Sequence, residues 1–345
     1  MSKEIVLPAL FAPTLVAWQR RHGRHQLPWQ NTRDPYRVWL SEIMLQQTQV
    51  TTVLGYYQRF LERFPTVLEL AAASLDEVLA LWAGLGYYSR ARNLHACARA
   101  VAEQHGGVFP GDSVGLQLLP GIGRSTAAAV AAFCFGERVA ILDGNVKRVL
   151  GRLLAFDGDL ASSAQERLLW QQATALLPTE GIESYTQGVM DLGATICTSR
   201  SPQCLICPVT ELCAGRLSGE PTRFPVKTRK LKRGRRENWW LWLEHGGSVL
   251  LQQRPATGVW AGLWSLPLFD DEAALQQAAS LIGAQLEVMP RIQHTLTHFD
   301  WVLHTHRAEM AALPALPDQA PAGQWVARER LAEYALPAPL KKMIG

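Results

Sequence analysis

No stretch of the 345 residues approaches the roughly 20 consecutive apolar residues that span a bilayer. The longest runs are short, such as Ala127–Phe135, which excludes a membrane-spanning class. The apolar patch at Ile5–Ala12 carries Glu4 and Pro8 and lacks a basic segment before it, so no secretory signal is expected. Cysteine is scarce, at six residues, and charged residues make up only 19%. A disulfide-stapled scaffold is therefore excluded, and 48% hydrophobic residues exclude a disordered chain. No internal repeat or low-complexity tract is visible. What remains is a soluble intracellular protein, cytoplasmic and without a membrane partner, long enough for two or three domains with buried cores.

The net charge of +4 hides an uneven distribution. Residues 1–222 hold 19 basic and 19 acidic side chains, whereas 223–236 hold eight basic and none acidic, and 237–345 hold seven against eleven. Eight like charges within fourteen residues repel one another, so 223–236 reads as an extended linker between folded units, either a solvated tether or a phosphate contact.

Before the linker the pattern is helical. Asp34-Pro35 reads as an N-cap with proline at the first helical position, followed by apolar residues at helical spacing from Tyr36 to Gln49. Further helices are expected at Thr66–Leu70, Leu75–Leu81, Ala91–Gln104, Ser125–Phe135 and Val146–Phe156. After the linker, Trp239–Leu243, Ser248–Gln252 and His298–His306 read as strands and Ala273–Ile282 as a helix, an α+β texture.

Four cysteines, Cys197, Cys204, Cys207 and Cys213, form a C-x6-C-x2-C-x5-C pattern within seventeen residues. Thiolates in fours bind zinc or an iron-sulfur cluster. A structural zinc site usually pairs two C-x2-C knuckles set further apart, so a 4Fe-4S cluster is favoured over zinc and over disulfides. Cys97 and Cys134 lie on apolar helical stretches and read as small core residues.

Leu118-Leu119-Pro120-Gly121-Ile122-Gly123 joins two helices. Its glycines permit a tight turn with outward N–H groups at a helix start, and with Arg124 beside them a DNA phosphate is the natural anion. A plain helix-helix turn reads as well on this segment alone. Asp143, before Gly144-Asn145-Val146, reads as a helix N-cap. Glu42 sits mid-helix with Val38 and Leu45 on a largely apolar face. A carboxylate desolvated there would hold its proton and could act as a general acid, unless an arginine pairs with it.

The segments LPGIGRSTA and LDGNVKRVL and the cysteine pattern together resemble the helix-hairpin-helix DNA glycosylases of the endonuclease III type. The stretches LPWQ, PYRVWLSEIMLQQTQV, GLGYYSRARNL and MDLGATIC, with a domain following the cysteines, resemble its MutY-type adenine-removing branch. The resemblance spans nearly the whole chain. It implies a multidomain fold: an all-α glycosylase region over 1–222, with a six-helix barrel at 28–136 and a 4Fe-4S helical domain from 1–27 and 137–222. A basic linker at 223–236 and an α+β Nudix-like domain at 237–345 follow. It also implies base excision repair, in which adenine mispaired with 8-oxoguanine or guanine is flipped out of double-stranded DNA and hydrolysed off the sugar.

On this resemblance Glu42 protonates adenine N7, and Asp143 stabilises the cationic sugar, a division of labour like that of glycosidase carboxylates. Ser125 stands where the strand-cleaving relatives carry a lysine, which implies a monofunctional enzyme; Lys147 reads as a phosphate contact that could also meet an opened abasic sugar. Trp29, Leu45, Gln187 and Asn145 match the adenine pocket, and His25 stands at a pocket position where some relatives carry arginine. Gln47, Thr48, Leu85 and Tyr87 match residues that contact or wedge into DNA around the lesion, although Leu85-Gly86-Tyr87-Tyr88 also reads as ordinary helix-turn packing. Gly121, Gly123 and Arg124 match the hairpin's phosphate contacts. Leu296, Thr297 and His298 match an 8-oxoguanine-reading Phe-Ser-His loop, with leucine replacing the aromatic. The helix Leu275–Leu281 lacks the carboxylates of a nucleotide-hydrolysing Nudix helix, so no magnesium is expected there. The cluster is expected to order a loop with Arg200 and Arg216 nearby. A monomer is expected, with repair or replication partners recruited through the linker.

Overall fold

In a computed structural model of the chain, residues 8–228, 233–312 and 323–344 are described. Among them, twelve α-helices precede the first strand. They are α1 (Phe11–His22), α2 (Pro35–Leu45), α3 (Val50–Arg63), α4 (Val67–Ala72), α5 (Leu75–Trp82) and α6 (Ser89–His105), then α7 (Ser113–Gln117), α8 (Arg124–Phe135), α9 (Gly144–Leu153), α10 (Ser163–Ala175), α11 (Ile182–Asp191) and α12 (Ala214–Leu217). Asp34 caps α2 as its sequence position suggests, accepting the Tyr36 N–H at 2.9 Å with Pro35 behind it. Helix α5 begins with a reciprocal capping box between Ser74 and Glu77. The expected helix to Gln49 stops instead at Leu45, because Gln47 turns into the left-handed region at φ 57°. Helices α1, α3, α10, α11 and the four-residue α12 were not among those expected. Cys97 and Cys134 are buried on α6 and α8, as their apolar surroundings imply.

The chain divides into two compact units. The first gathers residues 1–57, 66–71 and 96–230. Its core is built from Phe11, Leu15, Leu150, Leu153, Leu169 and Tyr185. Gly188 on α11 lies where a Cβ would meet Leu15 and Gln19 of α1 at 3.1 Å, so the two helices approach each other over a residue without a side chain. A π-helical turn, Leu192–Ile196, carries α11 onward to Cys197.

The second unit gathers residues 58–65, 72–95 and 231–345. Its sheet comprises β1 (Gly234–His245), β2 (Ser248–Gln253), β3 (Trp264–Ser265), β4 (Leu268–Phe269), β5 (Glu287–Val288), β6 (Ile292–Thr295), β7 (Phe299–Glu309) and β8 (Gly323–Ala327). The strands run in the order β3-β2-β1-β7-β5, with β4 on β1, β6 on β7 and β8 on β2. The parallel β1–β7 pair holds register from Gly234↔Phe299 to Glu244↔Glu309. Helix α13 (Glu272–Leu281) places Leu275 against Leu241, Leu243, Leu250 and Ala308, and α14 (Ala338–Ile344) ends the described chain. Within this unit the Arg92 guanidinium donates to the Ala261 carbonyl at 2.9 Å.

The basic run does not remain an extended connector to Arg236. Residues 229–232 lie outside the described residues, but β1 already begins at Gly234. Strand β7 answers the repulsion: Arg233 pairs with Asp300 at 2.6 Å, and Arg236 lies 4.3 Å from the Phe299 ring centre. Arg235 pairs with Glu237 at 2.7 Å. No described helix is long and apolar enough to cross a membrane.

The close α1–α11 approach makes Gly188→Val a direct check of this packing. The added branched side chain is expected to cost roughly 1–3 kcal/mol, lowering the thermal midpoint; an unchanged midpoint would show that the helices can part freely.

Candidate active site and nucleic-acid interface

Helix α2 buries Val38, Trp39, Ile43 and Met44 and leaves Glu42 half-buried between them. Desolvation pushes the Glu42 carboxyl up to about 8, and the negative charge of Asp143 adds to the rise. No ion pair among the described residues involves Glu42, so the arginine-paired alternative does not hold. Asp143 is the N-cap of α9, accepting the Val146 N–H at 2.8 Å. The capping reading therefore holds, in the same side chain that was expected at the sugar.

Ser125, in the first turn of α8, accepts the Leu142 N–H on its Oγ at 3.0 Å. The residue in the lysine-equivalent position thus fixes the backbone immediately before Asp143. The hairpin itself turns at Gly121, whose φ of 73° requires glycine. Gly123 begins α8 with no side-chain cap, leaving first-turn N–H groups for an anion. Arg124 is exposed with its guanidinium 3.9 Å from the Trp170 ring centre, which limits its freedom. Lys147, expected at a phosphate, is instead 2.6 Å from Glu166.

Trp29 is buried, edge-on to Tyr57 at 5.2 Å. Leu45 closes α2 half-buried. His25 is exposed. Gln187 donates from Nε2 to Asp191 at 2.8 Å, and Asn145 accepts from Arg148 at 2.8 Å. Arg148 also donates to the carbonyls of Gly193 at 2.7 Å and Cys197 at 2.8 Å. One turn later, Arg152 is buried, and among the described residues no carboxylate pairs with it. It donates to Cys197 Sγ at 3.4 Å and to the carbonyls of Thr198 at 2.6 Å, Ser199 at 2.8 Å and Phe224 at 3.1 Å. A buried cation with only thiol and carbonyl partners calls for a nearby negative charge, and four thiolates around a cationic iron core carry one. Cys204, Cys207 and Cys213 are half-buried in the same loop, each of the last two within electrostatic reach of the other cysteines. The donor set thus fits an iron-sulfur cluster. Arg216, by contrast, faces Glu211 at 3.6 Å.

In the second unit, Leu85 is buried and Tyr87 exposed, with Gly86 at φ 76° and Tyr87 at φ 48°. Two consecutive left-handed residues, one of them non-glycine, mark a strained loop. Arg90 supports it from below, donating to the carbonyls of Leu85 at 3.3 Å and Gly86 at 3.2 Å, with Trp82 and Tyr87 flanking its guanidinium. The Tyr87 hydroxyl is 3.1 Å from Thr297 Oγ1, so two residues expected at the lesion meet in the unit. Leu296 is half-buried and its carbonyl accepts from Arg233 at 3.1 Å; His298 is exposed at the β6–β7 turn. In the first unit, Gln47 is exposed, and Thr48 donates to the Gln46 carbonyl at 3.3 Å.

Sequence reasoning missed Arg148, Arg152, Asp191, Arg90 and Trp170. Arg148, Arg152, Asp191 and Trp170 meet residues distant in sequence, whereas Arg90 acts on a left-handed turn four and five residues before it, and an isolated arginine or aspartate in a helix signals neither.

Three family models match the chain: the HhH-GPD superfamily base excision DNA repair protein over residues 40–173, the iron-sulfur binding domain of endonuclease III over 197–213, and a NUDIX domain over 238–345. The adenine DNA glycosylase of Buchnera aphidicola (Baizongia pistaciae) is 36% identical over 84% of this chain and 83% of its own. The human adenine DNA glycosylase is 33% identical over 99% of this chain and 74% of its own. Among solved structures, a thermostable thymine-DNA glycosylase superposes with a TM-score of 0.53 at 29% identity, covering 61% of this chain and 96% of that one. A non-covalent endonuclease III-DNA complex superposes with a TM-score of 0.51 at 25% identity, covering 59% of this chain and 92% of that one. With a glycosylase helical region, an endonuclease III-type cysteine motif and a Nudix-type sheet in one chain, and relatives matched along most of their length, the protein belongs to the adenine DNA glycosylase family.

Proposed function

We propose that the protein excises adenine mispaired with 8-oxoguanine or guanine in double-stranded DNA, as a monofunctional glycosylase. The observation that carries the reading is Glu42, a carboxyl raised to about 8 beside the charged Asp143. The assignment of Glu42 as proton donor uses the proton that burial and the neighbouring Asp143 hold on it, and Asp143 is assigned as sugar stabiliser from its place beside it.

With adenine flipped out of the duplex, Glu42 gives its proton to N7 and the bond to the sugar breaks as the base leaves neutral; water then captures the cationic sugar, and the proton it loses restores Glu42. Asp143, fixed by the Val146 N–H and by the Ser125 anchor at Leu142, meets the positive charge developing at the sugar. Trp29, Leu45, Gln187 and Asn145 surround the departing base. Gly121, Gly123 and Arg124 take a phosphate, and Gln47, Thr48, Leu85 and Tyr87 fill space around the opened pair. Ser125 offers no amine, so the strand is left intact. Cys197, Cys204, Cys207 and Cys213 would hold a 4Fe-4S cluster, which supplies order to residues 197–213. Thr297 and His298, with Leu296, read the base opposite adenine. The Nudix-type region needs no magnesium for this.

Glu42→Gln is expected to lower single-turnover adenine release by several orders of magnitude while leaving duplex binding nearly unchanged. Because the active form is protonated, the wild-type rate should fall as pH rises through about 8. Unaltered release by Glu42→Gln would remove the residue from the reaction. For the reader, Thr297→Val with His298→Ala should shrink the ratio of rates on 8-oxoguanine:adenine and guanine:adenine duplexes, and an unchanged ratio would dismiss it. Anaerobically purified protein should contain about four irons per chain, and Cys204→Ser should lose both iron and solubility. A zinc-loaded, colourless and active protein would refute the cluster.

A further inference from the structure

We infer that Asp191 is a positioning residue that sets the substrate selectivity of the site by fixing which atom of the Gln187 amide is left to meet the base. The inference rests on the reading of Gln187 as a pocket residue. Asp191 is buried, its side chain 1% exposed, at the point where α11 passes into the π-helical turn. Its carboxylate is fully engaged: Oδ2 accepts the Arg24 backbone N–H at 2.9 Å, and Oδ1 accepts Arg24 Nε at 2.6 Å and Gln187 Nε2 at 2.8 Å. The Thr195 hydroxyl donates to the Asp191 carbonyl at 2.8 Å, adding a tie across the π-helical turn.

A glutamine amide is chemically two-faced, with a carbonyl that accepts and an NH2 that donates. Rotation by half a turn exchanges them at little steric cost, so an unrestrained amide accommodates a donor or an acceptor. A carboxylate paired with a guanidinium accepts only. Asp191 therefore holds the NH2 end, and the opposite orientation would set two acceptor oxygens against each other. The atom left over is Oε1, which carries no hydrogen bond among the described residues. An acceptor fixed in this way suits a base edge bearing an amino group and opposes one bearing an oxo group. Adenine presents the 6-amino donor, whereas a 6-oxopurine presents an acceptor at the same place. Buried polar groups left unmatched make such discrimination steep.

The test measures single-turnover base release from duplexes carrying adenine, unsubstituted purine or hypoxanthine opposite one fixed partner. Comparing ratios between proteins cancels the intrinsic lability of each base. Asp191→Asn replaces the acceptor-only group with one oxygen and one NH2, each orientation of which opposes an Arg24 N–H, so the Gln187 amide is no longer held one way round and the adenine-to-hypoxanthine ratio should fall by about tenfold or more. Asp191→Glu keeps an acceptor-only partner and should retain the ratio. An equal loss on all three bases in Asp191→Asn would reduce Asp191 to a purely structural role and overturn the inference. Gln187→Met, which spares the Arg24–Asp191 pair, separates the two readings. If it leaves the ratio unchanged, Gln187 is not a pocket residue; if it lowers the ratio and Asp191→Asn does not, only the positioning role fails. Should the Asp191 variants not fold, the wild-type protein decides: the Gln187 side-chain NH2, assigned by its loss in Gln187→Met, should be protected from solvent exchange, and a freely exchanging NH2 would overturn the inference.

Discussion

A carboxylate that caps a helix cannot move without the helix, and this constraint governs the first unit. Asp143 is tied to α9 through the Val146 N–H and to α8 through Leu142 and Ser125. The same helix carries Arg148 and Arg152, spaced one turn apart, which together bond to the backbone at Gly193 and at residues 197–199 and to Cys197 Sγ. A ten-residue helix thus holds the Asp143 carboxylate at its start and the cysteine loop along its side. Its own core residues Val146, Val149, Leu150 and Leu153 make the whole assembly rigid by burial.

The electrostatics follow from that placement. Glu42 loses hydration on α2, which is the larger cause of its raised pKa; the fixed Asp143 charge is the smaller. Had Asp143 been mobile, it could have turned away and relaxed the repulsion. The cap prevents this, so the smaller, electrostatic part of the rise persists alongside the larger part that burial on α2 supplies. Arg152 shows the converse arrangement. A buried guanidinium among carbonyls and a thiol is costly by itself, and becomes favourable only when negative charge is gathered next to it. The cysteine motif and this arginine are therefore two halves of one site, although 45 residues separate Arg152 from Cys197.

Much of the site was legible in the sequence because it rests on short-range chemistry. Asp34-Pro35 and Asp143 carry capping signals, Glu42 shows its apolar face through residues three and four away, and four cysteines lie within seventeen residues. What was not legible depends on partners far along the chain. The left-handed residues Gln47 and Tyr87 run against propensity, and they end α2 early and shape the Leu85–Tyr87 loop. The basic run looked like a tether because its partners, Phe299 and Asp300, stand more than sixty residues downstream. Local composition registered the repulsion and could not register its relief.

The glycines sharpen the proposed DNA face. Gly121 needs its glycine for conformation, at φ 73°. Gly123 and Gly144 do not: neither takes a left-handed φ, and a Cβ on either would meet nothing within 4 Å. At Gly123, the N-cap of α8, glycine is an accepted capping residue, whereas at Gly144, inside the first turn of α9, it costs some stability through backbone entropy. Both stand at the first exposed turn of a helix, one at the hairpin and one beside Asp143. A partner's backbone coming within hydrogen-bonding distance of those N–H groups would be kept away by a Cβ. On the proposed function, a sugar-phosphate strand running past the hairpin and Asp143 would use the opening at both positions.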